Sequence, residues 1–256
     1  YVDRNIFKAK KCFSIAARKN HIGAQYQLGV IYYEGEYIRR DIKKAISYLQ
    51  SAAEQNHSES QYQLGIIYYE NKYVIRDIGK SLEYFIQASK RHHSEAQYQL
   101  GIIYYENIND NLNGKYSINK AIHYLLLSAK QNNEVSKEKL ITIFLEVDLR
   151  YLYVNIKIEY LEFLSKENNP EAQYQLGLLY LEMESFQNID KSLKYLLMAA
   201  KLNHSESQYR LGMIYYESQN LENSIRYLLL SAKQNNTNAK EKLKEMFEKV
   251  DLSKLV

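Results

Sequence analysis

Four histidines recur along the chain at similar places in a repeated pattern: His21, His57, His93 and His204. Histidine is a common metal ligand, so the recurrence raises the question of a metal site. Helices of neighbouring repeats pack about 10 Å apart, too far for equivalent imidazoles to share one ion. His92 precedes His93 directly, but no cysteine or acidic cluster accompanies the pair. We therefore interpret these histidines as residues that interact with carbonyl groups near helix C-termini, and we predict no metal site.

Other residue patterns that could support catalysis are not found. The sequence contains no GxSxG, HExxH, CxxC or phosphate-loop motif, and the one cysteine, Cys12, has no evident base beside it. Carboxylates are plentiful, but they recur with the repeat and form no single special pair. The sequence therefore predicts a protein that is not an enzyme and that needs no cofactor.

The bulk composition favours an ordinary folded protein. The 256 residues are 46% hydrophobic and 25% charged, with a net charge of +4 that gives no strong case for a nucleic-acid or membrane partner. No apolar run is long enough for a membrane helix, so we expect no membrane insertion. A single cysteine favours a reducing compartment, and we expect a cytoplasmic protein. The start at Tyr1 suggests a piece of a longer chain.

One six-residue segment organises the sequence. Ala24-Gln25-Tyr26-Gln27-Leu28-Gly29 returns nearly unaltered four times, and the first residues of successive copies are 36, 36, 76 and 35 positions apart. A fixed period of this length is typical of a helical repeat array. The other copies are Ser60 to Gly65, Ala96 to Gly101, Ala172 to Gly177 and Ser207 to Gly212.

The apolar pattern predicts two helices per repeat, A and B, in an all-α, right-handed superhelical solenoid. About six helix pairs and a flanking helix at each end would form one domain over residues 1–256. The fourth repeat has drifted, with Lys157 and Leu164 in place of small residues. The third linker, 107–116, is the longest, and we interpret it as a neutral asparagine-rich insertion. The predicted bounds are 4–20 for the leading helix, 24–57, 60–93, 96–133, 136–169, 172–204 and 207–236 for the repeats, and 239–250 for the trailing helix.

The repeated residues within each unit have structural interpretations. Glycine inside helix A costs about 1 kcal/mol relative to alanine, so we expect it to mark close approach of helix B. Ser58 and Gln61, with their equivalents Ser94 with Gln97 and Ser205 with Gln208, match a capping box at the start of helix A. At the start of helix B, we predict N-cap residues at Asp41, Asp77, Ser117, Asn188 and Asn220.

The repeat pattern resembles the Sel1-like repeat, a relative of the tetratricopeptide repeat. In the first repeat the matching residues are Ala24, Leu28, Gly29, Tyr32, Gly35, Asp41, Lys44, Ala45, Tyr48, Ala52 and Ala53. The resemblance covers nearly the whole chain and implies a scaffold or adaptor that holds proteins together, with helix A on the concave side. It also leaves the lumen of the endoplasmic reticulum open as a location.

By analogy with the tetratricopeptide groove, four positions of helix A would face a ligand. They form rows of tyrosine, apolar residue, tyrosine and glutamate, and we expect them to bind a protein or peptide segment that carries Lys or Arg. The predicted residues are Tyr26, Val30, Tyr33 and Glu34; Tyr62, Ile66, Tyr69 and Glu70; Tyr98, Ile102, Tyr105 and Glu106; Tyr174, Leu178, Leu181 and Glu182; and Tyr209, Met213, Tyr216 and Glu217.

Other interpretations of the sequence remain open. Recent internal duplication of the repeat would by itself leave the residues at these four positions alike, without a binding role. Some of the tyrosines would in that case pack against the next repeat. A helical-repeat nucleic-acid binder is a further alternative, although the acidic row would repel phosphate. The chain is also compatible with a regulatory or spacer arm of a larger enzyme or signalling protein. Disulfide-rich relatives linked to hydrolysis are a poor match, because this chain has one cysteine.

Overall fold

The structure is a computed structural model that describes residues 2–36, 38–107, 114–182 and 188–248. Those residues form fourteen α-helices and one short 3-10 helix, Leu149–Tyr151, without a β-strand. The predicted all-α repeat fold, with about six helix pairs and a flanking helix at each end, is confirmed. The helices are α1 Val2–Arg18, α2 Ile22–Glu34, α3 Ile42–Glu54, α4 Ser58–Tyr69, α5 Ile78–Ser89, α6 Ser94–Glu106, α7 Gly114–Ala129, α8 Glu134–Glu146, α9 Val154–Lys166, α10 Pro170–Glu182, α11 Ile189–Lys201, α12 Ser205–Glu217, α13 Leu221–Lys233 and α14 Thr237–Glu248.

The chain divides into two compact units, Tyr1–Leu152 and Tyr153–Val256. In the first, the pairs α2/α3, α4/α5 and α6/α7 pack side by side, with α1 and α8 at the ends. In the second, the pairs α10/α11 and α12/α13 lie between α9 and α14. The boundary falls inside the predicted fourth repeat. A single solenoid over residues 1–256 therefore stays a prediction.

The helix A glycines mark the closest approach within each pair, as predicted. A Cβ atom on Gly29 would lie 2.6 Å from Cγ of Leu49, and one on Gly101 would lie 2.6 Å from Cγ of Leu125. Real side chains do not approach so closely, so only glycine lets helix B pack at this distance. The apolar residues around the contact, such as Leu28 and Ala45, have no exposed surface.

The turn from helix B to the next helix A has a constant construction. The second residue after the helix end is left-handed, for example Asn56 with φ 69° and Asn203 with φ 60°. Asparagine tolerates this conformation better than most residues because its side chain bonds locally. The residue that follows caps the next helix: Nδ1 of His57 accepts the backbone N–H of Ser60, 3.2 Å away.

Two predictions about this turn are wrong. The N-cap of helix A is the histidine itself, at His21, His57, His93 and His204, and not the serine of a capping box. The imidazole therefore accepts an N–H group of the following helix, and the preceding helix is contacted by the backbone N–H of the histidine, as when His57 donates to the carbonyl of Ala52 over 3.2 Å. The glutamine bonds backward instead, as when Nε2 of Gln61 donates to the carbonyl of Ala53 over 3.1 Å. Each helix A begins two residues earlier than predicted, as when α4 begins at Ser58 and not at Ser60.

Helix B has the predicted caps in four of five cases. Side chains of Asp41, Asp77, Asn188 and Asn220 accept the N–H three residues ahead. Ser117 is not an N-cap: α7 begins at Gly114, and Ser117 is buried inside it. The longer third linker supplies the extra residues that extend this helix. Most of that linker, 108–113, lies outside the described residues.

Candidate protein-interaction surface

The first tyrosine of helix A lies against the N-cap histidine of the next repeat. Ring centroids are 4.6 Å apart for Tyr62 and His93, and 4.9 Å apart for Tyr26 and His57. Tyr174 makes the same contact with His204, at 4.9 Å. For the equivalent tyrosines Tyr98 and Tyr209, the next unit has asparagine, Asn133 and Asn236, at the histidine position.

Two of these histidines, His93 and His204, bridge successive repeats through their other nitrogen. Nε2 of His93 lies 2.9 Å from a carboxylate oxygen of Glu59. Nε2 of His204 lies 3.0 Å from a carboxylate oxygen of Glu171. Because Nδ1 accepts a backbone N–H as the cap, the proton of the neutral ring lies on Nε2 and is donated to the carboxylate. The hydrogen bond from His204 is the main cause that lowers the pKa of Glu171 below its usual value.

The second tyrosine of helix A donates a hydrogen bond to the glutamate that ends the next helix A. Tyr33 Oη lies 3.3 Å from Oε2 of Glu70, and Tyr69 Oη lies 3.2 Å from Oε2 of Glu106. Tyr105 Oη donates in the same way to Oε2 of Glu146, the last residue of α8. The three pairs form a line across the first unit that we call the Tyr–Glu row. Its members are Tyr33 with Glu70, Tyr69 with Glu106, and Tyr105 with Glu146.

The hydroxyls of the Tyr–Glu row stay protonated over the physiological range. Burial, followed by the charge of Glu70, raises the pKa of Tyr33 to about 12. The hydrogen bond to Glu146, followed by burial, raises the pKa of Tyr105 to about 12. Each tyrosine is therefore a permanent donor near neutral pH, and each carboxylate is held in one orientation.

The rings of these tyrosines belong to the cores between repeats. Tyr26 and Tyr33 pack against the cluster that contains Leu49 and Leu64, and Tyr62 and Tyr69 pack against the cluster around Phe85. The tyrosines are therefore only half-buried, with their hydroxyls toward the surface. Packing of these rings against the next repeat, one of the alternatives raised by the sequence, is what the contacts show.

Cationic side chains of the chain itself cover several of the ring faces. Arg76 lies 4.6 Å from the centroid of Tyr69, and Lys139 lies 4.1 Å from that of Tyr105. A recess of about 610 Å³ is lined by Tyr69, Glu70, Lys72 and Arg76. The ring faces are thus already occupied, whereas the carboxylates of Glu70, Glu106 and Glu146 are exposed. The glutamates, rather than the ring faces, are the accessible groups of this surface.

The second unit carries a reduced version of the surface. Leu181 stands at the position of the second tyrosine in α10 and packs, with Tyr174, against the cluster around Leu196. In α12, Tyr216 is covered by Lys242, whose Nζ lies 3.9 Å from the ring centroid. The remaining predicted residues are half-buried at Val30, Tyr98, Ile102, Leu178, Tyr209 and Met213, and exposed at Glu34, Glu182 and Glu217.

A set of stacked tyrosine pairs was not predicted from the sequence. Tyr32 stacks on Tyr48 with centroids 5.9 Å apart, and Tyr68 stacks on Tyr84 at 6.0 Å. The signal was present, since a tyrosine recurs at one position of helix A and another at one position of helix B. These stacked pairs join the two helices within a repeat and are part of its packing. The others are Tyr104 with Tyr124, Tyr180 with Tyr195, and Tyr215 with Tyr227.

Two kinds of site are not found in the described part of the chain. Among those residues, no group of three or more histidine, cysteine or acidic side chains is arranged to hold a metal ion. None of the described helices combines the length and the apolar character that a membrane crossing requires.

Comparison with known families agrees with the repeats seen in the structure. The Sel1 repeat matches six segments that together cover most of the chain: 1–21, 22–57, 58–93, 94–133, 170–204 and 205–236. The chain belongs to the Sel1 repeat family. Sel1 repeat proteins are generally protein–protein interaction scaffolds and are typically non-catalytic. The drifted segment 134–169 lies outside the matches.

Solved structures similar to the chain include two Sel1-type proteins. One is a protective antigen of uropathogenic Escherichia coli that displays the same repeat fold, 22% identical, with 93% of this chain and 51% of that chain covered and a TM-score of 0.48. Another is a Sel1 repeat protein from Oxalobacter formigenes, 23% identical, with 93% and 69% covered and a TM-score of 0.46. The chain thus spans about half the length of the first. No curated protein matches it.

Proposed function

We propose that this Sel1 repeat chain is a protein-interaction scaffold that binds a basic peptide segment along the Tyr–Glu row of its first unit. The observation that carries the proposal is the same hydrogen bond repeated three times, from Tyr33 to Glu70, from Tyr69 to Glu106, and from Tyr105 to Glu146. Three exposed carboxylates are thereby fixed in orientation at consecutive repeats.

Each fixed carboxylate keeps one oxygen for a ligand. The tyrosine hydroxyl bonds to Oε2 in all three pairs, and Oε1 has no hydrogen-bond donor among the residues that the structure describes. A lysine or arginine of a peptide would bond to that oxygen. Because the tyrosine already holds the glutamate, less side-chain entropy is lost when the peptide binds.

The repeat spacing also favours a particular peptide pattern. Neighbouring helices of a solenoid lie about 10 Å apart, and an extended peptide advances roughly 3.3–3.6 Å per residue. One repeat therefore corresponds to about three residues of peptide. A segment with a basic residue at every third position would place one cation at each carboxylate of the row.

The experiment measures binding of a fluorescent ten-residue peptide with lysine at every third position and Gly or Ser between. We expect the whole chain to bind it more tightly than a peptide of the same composition with the lysines clustered at one end. Replacing Glu70, Glu106 and Glu146 together with glutamine should weaken binding by about tenfold at low salt, since each exposed ion pair contributes roughly 0.2–1 kcal/mol.

The matched control removes three other exposed carboxylates, with Glu54→Gln, Glu83→Gln and Glu222→Gln on helices B. It alters the net charge equally and should leave the affinity within about twofold. Equal losses in the two triple variants would show attraction by net charge alone and would reject the Tyr–Glu row as the binding surface. Failure of the parent chain to bind the spaced peptide would reject it as well.

A further inference from the structure

A cleft at the connection from α2 to α3 collects positive charge. It has a volume of about 970 Å³ and lies between α1, the connection from α2 to α3, and the start of α3. Its charged lining consists of five cations and one carboxylate, which are Lys10, Arg39, Arg40, Lys43, Lys44 and Asp41. No member of the Tyr–Glu row lines the cleft, although two of its lining residues, Arg40 and Tyr73, contact Tyr33.

Two of the five cations have structural partners. Lys44 forms an ion pair with Asp41 at 3.0 Å, and Asp41 also caps α3. Arg40 donates to the carbonyl oxygens of Tyr33 and Glu34, over 2.8 and 2.6 Å, and so closes the end of α2. These contacts account for Lys44, Arg40 and Asp41 without any ligand.

The other three cations are not neutralised. Lys10, Arg39 and Lys43 form no ion pair with any described residue of the chain, and Arg39 and Lys43 are exposed. Nζ of Lys10 lies 4.9 Å from the centroid of Tyr32, and Nζ of Lys44 lies 5.4 Å from the same centroid. Like charges gathered in one cleft repel each other, so binding of an anionic group would lower the electrostatic repulsion between them.

Comparison between repeats shows that this charge is not required by the fold. One period later, the positions of Lys10, Arg39 and Lys43 carry Ile46, Ile75 and Gly79. At the last of these positions the later repeats carry Asn119, Asp190 and Glu222. Lys44, by contrast, recurs as Lys80, Lys120 and Lys191. The combination of Lys10, Arg39 and Lys43 is therefore not repeated along the chain, although Lys115 stands at the position of Arg39 in the third repeat.

We propose that this cleft binds an acidic peptide segment of a partner protein. The three cations come from different places, with Lys10 on α1, Arg39 on the connection and Lys43 on α3, so the positive charge is spread along the cleft. Several carboxylates along one chain match such a distribution better than one compact phosphate does. The volume is at the upper end of the roughly 300–1,000 Å³ typical of ligand sites, which leaves room for several residues.

The test uses fluorescence anisotropy with a labelled ten-residue peptide rich in Asp and Glu, and the whole chain. We expect binding that weakens as salt is added. The triple variant Lys10→Ile, Arg39→Ile and Lys43→Asn places at each position a residue that another repeat carries there, which favours retention of the fold. We expect it to weaken binding by about tenfold or more at low salt.

The control variant Lys19→Ala, Lys90→Ala and Lys201→Ala removes three exposed cations away from the cleft, and should change affinity by less than about twofold. Circular dichroism verifies that both variants remain helical. No binding by the parent chain, or equal loss in both variants, would overturn the proposal. Tighter binding of a ten-nucleotide single-stranded DNA than of the acidic peptide would also overturn it, in favour of a nucleic-acid ligand.

Discussion

Nε2 of His204 lies 3.0 Å from a carboxylate oxygen of Glu171, which belongs to the preceding repeat. The opposite ring nitrogen, Nδ1, accepts the backbone N–H of Ser207 and so caps α12. One imidazole thus begins a helix and fastens that helix to its neighbour. His93 does the same with Glu59 in the first unit. Each of these histidines is a structural link between repeats, which explains its recurrence without a metal ion.

The first prediction concerns this link. His204→Ala removes both the cap and the bridge, and it should lower the free energy of unfolding by about 1–2 kcal/mol. His204→Asn should cost clearly less, because Asn236 caps α14 and also donates to Glu206 over 3.0 Å. Urea denaturation followed by circular dichroism measures both variants. Equal losses for alanine and asparagine would contradict the capping role.

The second prediction concerns pH. Burial lowers the pKa of His57 below its ordinary 6.5, although the charge of Glu59 opposes the shift. A histidine with a lowered folded pKa binds protons more readily when unfolded, so its neutral form stabilises the fold above pH 6.5. That contribution is lost as the pH falls below 6.5. Protonation would also remove Nδ1 as the acceptor for Ser60.

We therefore expect the urea concentration at the unfolding midpoint to decrease when the pH is lowered from 7.5 to 5.5. His57→Asn should make this fall smaller, because asparagine caps without titrating. His21, an N-cap that is exposed, provides the comparison position as His21→Asn. An unchanged pH dependence in His57→Asn would show that His57 does not contribute to it.

The repeat period and the apolar pattern were sufficient to predict the helices and their pairing, because both depend on local spacing. The role of Gly29 was predictable for the same reason, since glycine within a helix needs a compensating contact. The cap at His57 was missed because serine followed by glutamine three residues later matches a common motif. Whether His57 or Ser58 is the N-cap depends on where the left-handed residue, Asn56, places the next side chain.

The surface residues were harder to predict than the fold. Comparison between the repeats identified the rows of Tyr33 and Glu70, but not that each second tyrosine bonds to a glutamate of the next repeat, 37 or 41 positions later. The cleft around Lys10 and Arg39 was missed, because it joins residues whose proximity depends on how α1 packs against the first pair. A surplus of cations in one repeat relative to the next was the available signal.

The third prediction tests the close approach within helix pairs. Gly101→Ala would place Cβ 2.6 Å from Cγ of Leu125, and we expect a loss of about 1–3 kcal/mol despite the higher helix propensity of alanine. Gly79→Ala is the matched control, since its Cβ would meet only Asp77 Oδ1 at 3.4 Å. The control should be neutral or slightly stabilising. Urea denaturation measures the free energy of unfolding of both variants. Similar losses of stability at both positions would contradict the packing argument.

A fourth prediction follows from a hydrogen bond that some repeats lack. Nε2 of Gln55 donates to Oε1 of the buried Gln25 over 2.7 Å, and the same bond joins Gln131 to Gln97 and Gln234 to Gln208. At the donor position, however, one repeat of the second unit carries Leu202. Oε1 of Gln173, which would be the acceptor, is buried with no hydrogen-bond partner in the described structure.

Leu202→Gln should therefore stabilise the second unit by about 0.5–1.5 kcal/mol, the usual contribution of a hydrogen bond to a buried acceptor. Little apolar packing is lost, since Leu202 is 44% exposed. Leu202→Glu provides the control, because a carboxylate of similar size has no N–H to donate to Gln173. The expected order of unfolding midpoints in urea is glutamine above leucine, and leucine at or above glutamate. Glutamine and glutamate variants of equal stability would show that the buried oxygen gains nothing from a new donor.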